Sequence, residues 1–219
     1  MRRAWLLAAL VVAACSRHPS SAEPTAAGAL PAVAGAEALF FQAPQSTIDF
    51  VGSKRTLSHE GRFTRFTGQM QFVPTDIGRS RISVSIATGS LLTPIAQLTA
   101  HLRSPDFFDA EHFGAATFVW TSIRPEGSGT NKYVVTGTVE LRGTAHQVTF
   151  PASVTVTPGE VYATARFALS RRMFGVSPAR RDAGAAPPPP PSATPPSPIE
   201  DLAVVRLVIH APRPHVVGG

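Results

Sequence analysis

The sequence predicts an all-β fold: eight antiparallel strands closing into an up-and-down β-barrel, with one short helix between strands. Three observations predict it. Apolar and polar residues alternate with period two through most of residues 46–210, as in strands with one buried and one wet face. A flat sheet of eight such strands would leave edges open to aggregation, and closure removes them. One segment alone switches to helical spacing. A two-layer sandwich would use the same alternation, so periodicity by itself leaves that architecture open.

The strands follow in order. Ile48 and Phe50 alternate with Thr47 and Asp49, and Met70 and Phe72 with Gln69 and Gln71. Ile82, Val84 and Ile86 form a third series, and Thr117 to Ile123 a fourth. Tyr133, Val135, Val139 and Leu141 share a face with Gly137. Val148, Phe150, Ala152, Val154 and Val156 make the sixth, and Ala163, Ala165, Phe167 and Leu169 the seventh. Ala203, Val205, Leu207 and Ile209 close the set. Gly52, Gly61, Gly68 and Gly137 sit in or beside strands, where a strongly curled sheet needs room at bends. In residues 94–102, PIAQLTAHL, Ile95, Leu98 and Leu102 are at helical spacing. Thr93-Pro94 supplies a cap and a first-turn proline.

The stretch that follows, HLRSPDFFDAEHF, has neither period. His101, Arg103 and Asp106 there can form a polar rim at one barrel end, with Phe107 and Phe108 as plug or mouth. Arg103 and Asp106 are close enough in sequence to pair, and Asp106 can cap the following turn. Sealing of the barrel end is the plainer reading of the same residues.

The flanks are low in complexity. MRRAWLLAALVVAACS pairs two arginines with an apolar run from Ala4 to Ala14, too short to span a bilayer. Val12-Ala13-Ala14-Cys15 resembles the bacterial lipobox, so residues 1–14 are expected to be a lipoprotein signal peptide and Cys15 the lipidated residue. Cys15 is the only cysteine, so an acylated chain keeps no thiol for disulfide or metal chemistry. Ser16 in place of Asp favours the outer membrane on the periplasmic side. Residues 15–44 read as a flexible tether, 45–212 as the barrel domain and 213–219 as a disordered tail. Within the domain, residues 178–198 read as a loop insertion. Eight of the 21 prolines fall in 185–198, a run that cannot join a sheet.

Composition excludes some functions. Loss of Arg2 and Arg3 takes the formal charge from +6 to +4, and the remaining cations are scattered, which disfavours nucleic acid as a partner. No G-x-S-x-G elbow, P-loop or dinucleotide fingerprint is present. His101, His112 and Glu111 are a weak metal candidate, because loop spacing does not fix geometry. His59–Glu60 and His101–Asp106 are conceivable acid–base pairs, but they sit near strand ends where solvated side chains are ordinary. We therefore expect a non-enzyme without metal or cofactor.

One resemblance sharpens this. His101-Leu102-Arg103-Ser104, Asp106-Phe107-Phe108-Asp109 and Ala116-Thr117-Phe118 resemble the signature of the YceI-like family. Gly61-Arg62-Phe63 with Phe66-Thr67-Gly68, and Tyr133 to Gly137 leading to Leu141-Arg142-Gly143-Thr144, agree in order and spacing. Gly114 departs from the family's usual proline. The resemblance implies a lipocalin-like barrel that binds a long-chain isoprenoid lipid, such as a polyprenyl or quinone-type amphiphile. On that reading Phe50, Phe63, Phe72, Val84, Val135, Phe150 and Phe167 line the cavity, with Phe107 and Phe108 beside them. Inward apolar residues can equally pack a solid core. A filled barrel would make the chain an interaction or scaffold lipoprotein without a lipid ligand.

Overall fold

Where the sequence alternates, the chain pairs. In the computed structural model, which describes residues 30–54, 57–176 and 201–214, one continuous antiparallel sheet contains eleven strands. They are β1 (Glu37–Gln42), β2 (Thr47–Lys54), β3 (Leu57–Phe63), β4 (Phe66–Phe72), β5 (Arg81–Ala87) and β6 (Leu91–Leu92). After the helix α1 (Ala96–Arg103) come β7 (Ala115–Pro125), β8 (Lys132–Leu141), β9 (Thr144–Val156), β10 (Glu160–Ser170) and β11 (Leu202–Pro212).

The expected count of eight is corrected to eleven, and kinks are the reason. Following the antiparallel pairings around the sheet shows that β1 and β2 run in one direction, as do β3 and β4, and β5 and β6. Each pair is one long run broken by a kink. The sheet order β1-β4-β5-β7-β8-β9-β10-β11-β2-β3-β6 begins with one half of these runs and ends with the other. The sheet therefore curls until its two ends meet in the same three stretches of chain.

Kinks orphan backbone groups, and buried hydroxyls take them up. Ser46, 1% exposed, accepts from the His210 amide at 2.9 Å. Ser90 accepts from the Arg65 amide at 3.1 Å and donates to the Ala87 carbonyl at 2.7 Å. Thr88 donates to the Phe113 carbonyl at 2.6 Å. Two glycines make the curl possible on the apolar side. Gly61 is paired with Phe50 and Gly68 with Phe41, and each ring lies where a Cβ would be.

Three boundaries differ from expectation. β1 lies inside the stretch assigned to the tether: Leu39 and Phe41 are buried and Phe40 is exposed, so the sheet starts at Glu37. Arg213, expected in the tail, grips Glu37 through Nε at 2.8 Å and Nη2 at 2.6 Å. The helix starts at Ala96, after Pro94, with Ile95 at its N-cap and no side-chain cap. Thr93 instead accepts from the Ile95 amide at 3.3 Å and meets the Thr99 hydroxyl at 2.9 Å. The signal peptide, Cys15, the proline-rich insertion and residues 215–219 lie outside the described residues.

Candidate binding cavity

The inward faces of the curled sheet do not meet. They enclose a cavity of about 1190 Å3. Small residues keep it open: Ala152, Ala163, Ala165 and Ala203 face it from β9, β10 and β11. Aromatic rings form its walls. Phe150 and Phe167 stack with centroids 4.0 Å apart, and Phe118 tilts against Phe150 at 5.9 Å. Phe50, Phe63 and Phe108 form a second group, with Phe50 and Phe108 each 5.7 Å from Phe63. Offset and tilted rings of this kind hold their places without polar contacts.

All nine residues named as candidate lining border this cavity: Phe50, Phe63, Phe72, Val84, Phe107, Phe108, Val135, Phe150 and Phe167. Alternation made the strand positions readable. Phe107 and Phe108 arrive by another route, from the segment after α1 that covers one end of the sheet.

That lid has two halves. The first runs from α1 through residue 113. The second is the 3-10 turn Arg172–Phe174 that follows β10. Phe107, Phe174 and Val176 are buried together between them, with Leu102, Phe108, Val139 and Leu141 packed alongside. Arg142 ties both halves to the β8–β9 hairpin. Its Nη1 donates to the Phe107 and Gly175 carbonyls, both at 2.7 Å, and its Nη2 to Pro105 at 3.1 Å. Arg142 and Gly143 have φ of 53° and 68°, the positive pair of a type I′ hairpin turn. Glycine or asparagine is the easier occupant there, and the guanidinium's three carbonyl bonds compensate for arginine in the first position.

The polar rim expected from His101, Arg103 and Asp106 is corrected. Only His101 lines the cavity, with its ring edge-on to Phe107 at 4.7 Å. Arg103 turns to the Leu91 carbonyl, donating from Nε at 3.0 Å and Nη2 at 2.6 Å. Asp106 is exposed and joins no ion pair among the described residues. It caps nothing either, because the Ser104 carbonyl receives the Phe107 and Asp109 amides. The polar groups at this end come from elsewhere: His59, Ser170, Arg171, Arg172 and Asp201. Strand parity was the missed signal, since His59 lies two and four residues before the inward Gly61 and Phe63, and Asp201 two before the inward Ala203.

Parity also separates one conceivable acid–base pair. His59 faces inward, while Glu60 on the outer face accepts from Arg206 at 2.8 Å. His112 bonds Asp109 through Nδ1 at 2.7 Å, and this hydrogen bond, with the carboxylate's charge, raises the His112 pKa above its ordinary 6.5. Among the described residues no three His, Cys, Asp or Glu side chains are grouped to hold a metal.

The fold and the sequence are matched by known proteins. A family model described as the YceI-like domain covers residues 41–188. The chain belongs to the YceI-like family. A UPF0312 protein of Vibrio parahaemolyticus is 34% identical over 131 residues, which cover 55% of this chain and 68% of that protein. A second, from Vibrio vulnificus, is 36% identical over 93 residues, 42% of this chain and 48% of its own length. The chain thus spans about half the length of that relative. Among solved structures, Burkholderia cenocepacia BcnA superposes with a TM-score of 0.62 at 23% identity, over 76% of this chain and 96% of BcnA. A polyisoprenoid binding domain from Saccharophagus degradans gives 0.57 at 14% identity, over 80% and 98%. At such identities these likenesses speak to the fold. In this YceI-like chain β11 lies beyond the family match, yet it completes the sheet between β10 and β2.

Proposed function

We propose that this YceI-like protein binds one long-chain isoprenoid amphiphile, polyprenyl or quinone-like, and holds or carries it without chemical change. The single observation that carries the reading is the open apolar cavity. Its volume of about 1190 Å3 exceeds the roughly 300–1,000 Å3 of ordinary small-molecule sites. A tail buried against its rings gains about 2.5 kcal/mol for each ~100 Å2 of apolar surface removed from water, so few polar contacts are needed. The shared fold with a polyisoprenoid binding domain supports the same ligand class. Lipidation at Cys15 would tether the protein on the periplasmic side, at the outer membrane by the residue after the cysteine. A filled-barrel scaffold is the competing reading, and the volume inside the sheet counts against it.

Native mass spectrometry of the full chain, purified in mild detergent from a bacterial host, tests this. The expected result is a stoichiometric adduct that extracts as a long-chain isoprenoid. A ligand-free mass that stays unchanged when polyprenyl lipids are added would turn the reading to the scaffold.

A further inference from the structure

The cavity's polarity is concentrated at one end. His59, Gly52, Ala203 and Leu169 are consecutive partners on one rung across β3, β2, β11 and β10. Gly52 has no side chain, so His59 borders an open gap rather than a neighbour. One step above the rung, Asp201 accepts from the Ser170 hydroxyl at 2.7 Å and pairs with Arg172 Nε at 3.3 Å. Across the mouth stands the first half of the lid, whose polar side chain bordering the cavity is His101. Elsewhere on the wall the Trp120 indole N–H is buried without a partner, and the remaining polar residues touching the cavity are otherwise engaged or turned away. Ser80 accepts from the Val73 amide at 3.0 Å, and Asp49 holds Arg62 on the outer face. Thr117 and Thr164 occupy outward positions of their strands.

The ring nitrogens of His59 and His101 have no hydrogen-bond partner among the described residues, and neither have the terminal amino groups of Arg172. A mouth with spare imidazole and guanidinium donors favours an acceptor oxygen. The Asp201 carboxylate is engaged by the Ser170 hydroxyl and the Arg172 guanidinium, whose charge offsets its own. We propose that this half-rim is a head-group subsite. His59, His101 and Arg172 bind the acceptor oxygens of a single-chain isoprenoid's head, a phosphate or a quinone carbonyl, and the tail lies down the apolar tube. The subsite rests on the lipid-binding reading and adds the chemistry of the head.

The test uses the full chain in mild detergent and four probes with one tail: geranylgeranyl phosphate, a quinone bearing that tail, geranylgeraniol and geranylgeranylamine. The phosphate or the quinone should bind about tenfold or more tighter than the amine and the alcohol, the size of a charge-assisted or well-aligned hydrogen bond. Whichever of the two leads identifies the source of the oxygen. The double variant His59→Leu/His101→Leu should lose most of that preference and keep its affinity for the alcohol, which also reports an intact cavity. His59→Gln/His101→Gln, which retains donors, should recover part of it. Equal binding of all four heads by the unmodified chain overturns the subsite and leaves the lipid-binding reading standing. So does a preference that survives the leucine variant. Binding of none of the four removes the lipid reading and the subsite together.

Discussion

Gly68 shows how single residues set this cavity. The Phe41 ring occupies the space a Cβ at Gly68 would need, and Phe41 is 4% exposed with nowhere to retreat. Gly68→Ala should cost about 1–3 kcal/mol, the usual penalty for overpacking, measured by urea denaturation. Gly61→Ala should cost less, because Phe50 can swing toward the open cavity. Val135 and Phe150 lie on the cavity wall, 5% exposed each. Aspartate at either should abolish lipid binding, since a charge in an apolar tube is expensive to desolvate. Retained binding by a folded Val135→Asp protein would mean that this wall does not touch the ligand. His112 supplies a pH test. Its raised pKa means that the pair with Asp109 stabilises the fold fully below the ordinary 6.5 and fades as pH rises through the raised value. His112→Ala should therefore destabilise the protein at acid pH and much less at alkaline pH, in paired melting curves. The apolar wall was legible at this scale because alternation puts every second residue inside. Arg103 was not, because no sequence period tells a guanidinium to choose the Leu91 carbonyl over Asp106 three residues on.

Among the elements, the strands with strong alternation were legible and the kinked ones were not. β3, LSHEGRF, places His59 and Gly61 at inward positions, so it lacks the apolar series that marks its neighbours. β6 has two residues and makes sense only against Arg62 and Phe63. β1 carries a clear Leu39–Phe41 alternation, but a low-complexity stretch precedes it and hides it. The lid was legible as an aperiodic, aromatic segment, and its fastening was not, since Arg142 is remote in sequence from the carbonyls it holds. Arg142→Ala should free both halves of the lid and cost about 1–3 kcal/mol. Hydrogen exchange should show it first at the Phe108 and Asp109 amides, which close the loop onto Leu102 and Ser104. Unchanged protection there would mean that the buried Phe107–Phe174–Val176 cluster holds the lid without the arginine.

At the scale of the whole molecule, closure depends on contacts between the ends of the chain. Glu37 and Arg213 are 176 positions apart and meet at the edge of β1. The Arg213 guanidinium holds the Glu37 carboxyl below its ordinary 4.5, mainly through the hydrogen bond. Its contribution is present above that ordinary value and disappears as pH falls through the lowered one. Arg213→Ala should therefore lower the melting temperature at neutral pH and leave it little changed in strong acid. A bound lipid acts on the same quantity by mass action: at about 100 times its Kd it should add roughly 2.7 kcal/mol, seen as a higher Tm than the delipidated protein shows.

The pairing of β2 with β11 joins Thr47 to Val208 and Gly52 to Ala203. Contacts so distant in sequence form late, because a long loop must close before they can be made. The wall of the cavity is therefore missing one stave until β11 has been made and has paired with β10 and β2. Until then Phe50, Phe150 and Phe167 stand open to water on an incomplete sheet. A chain cut after residue 176 would lack β11, and the vessel that the other strands outline would stay open along one side.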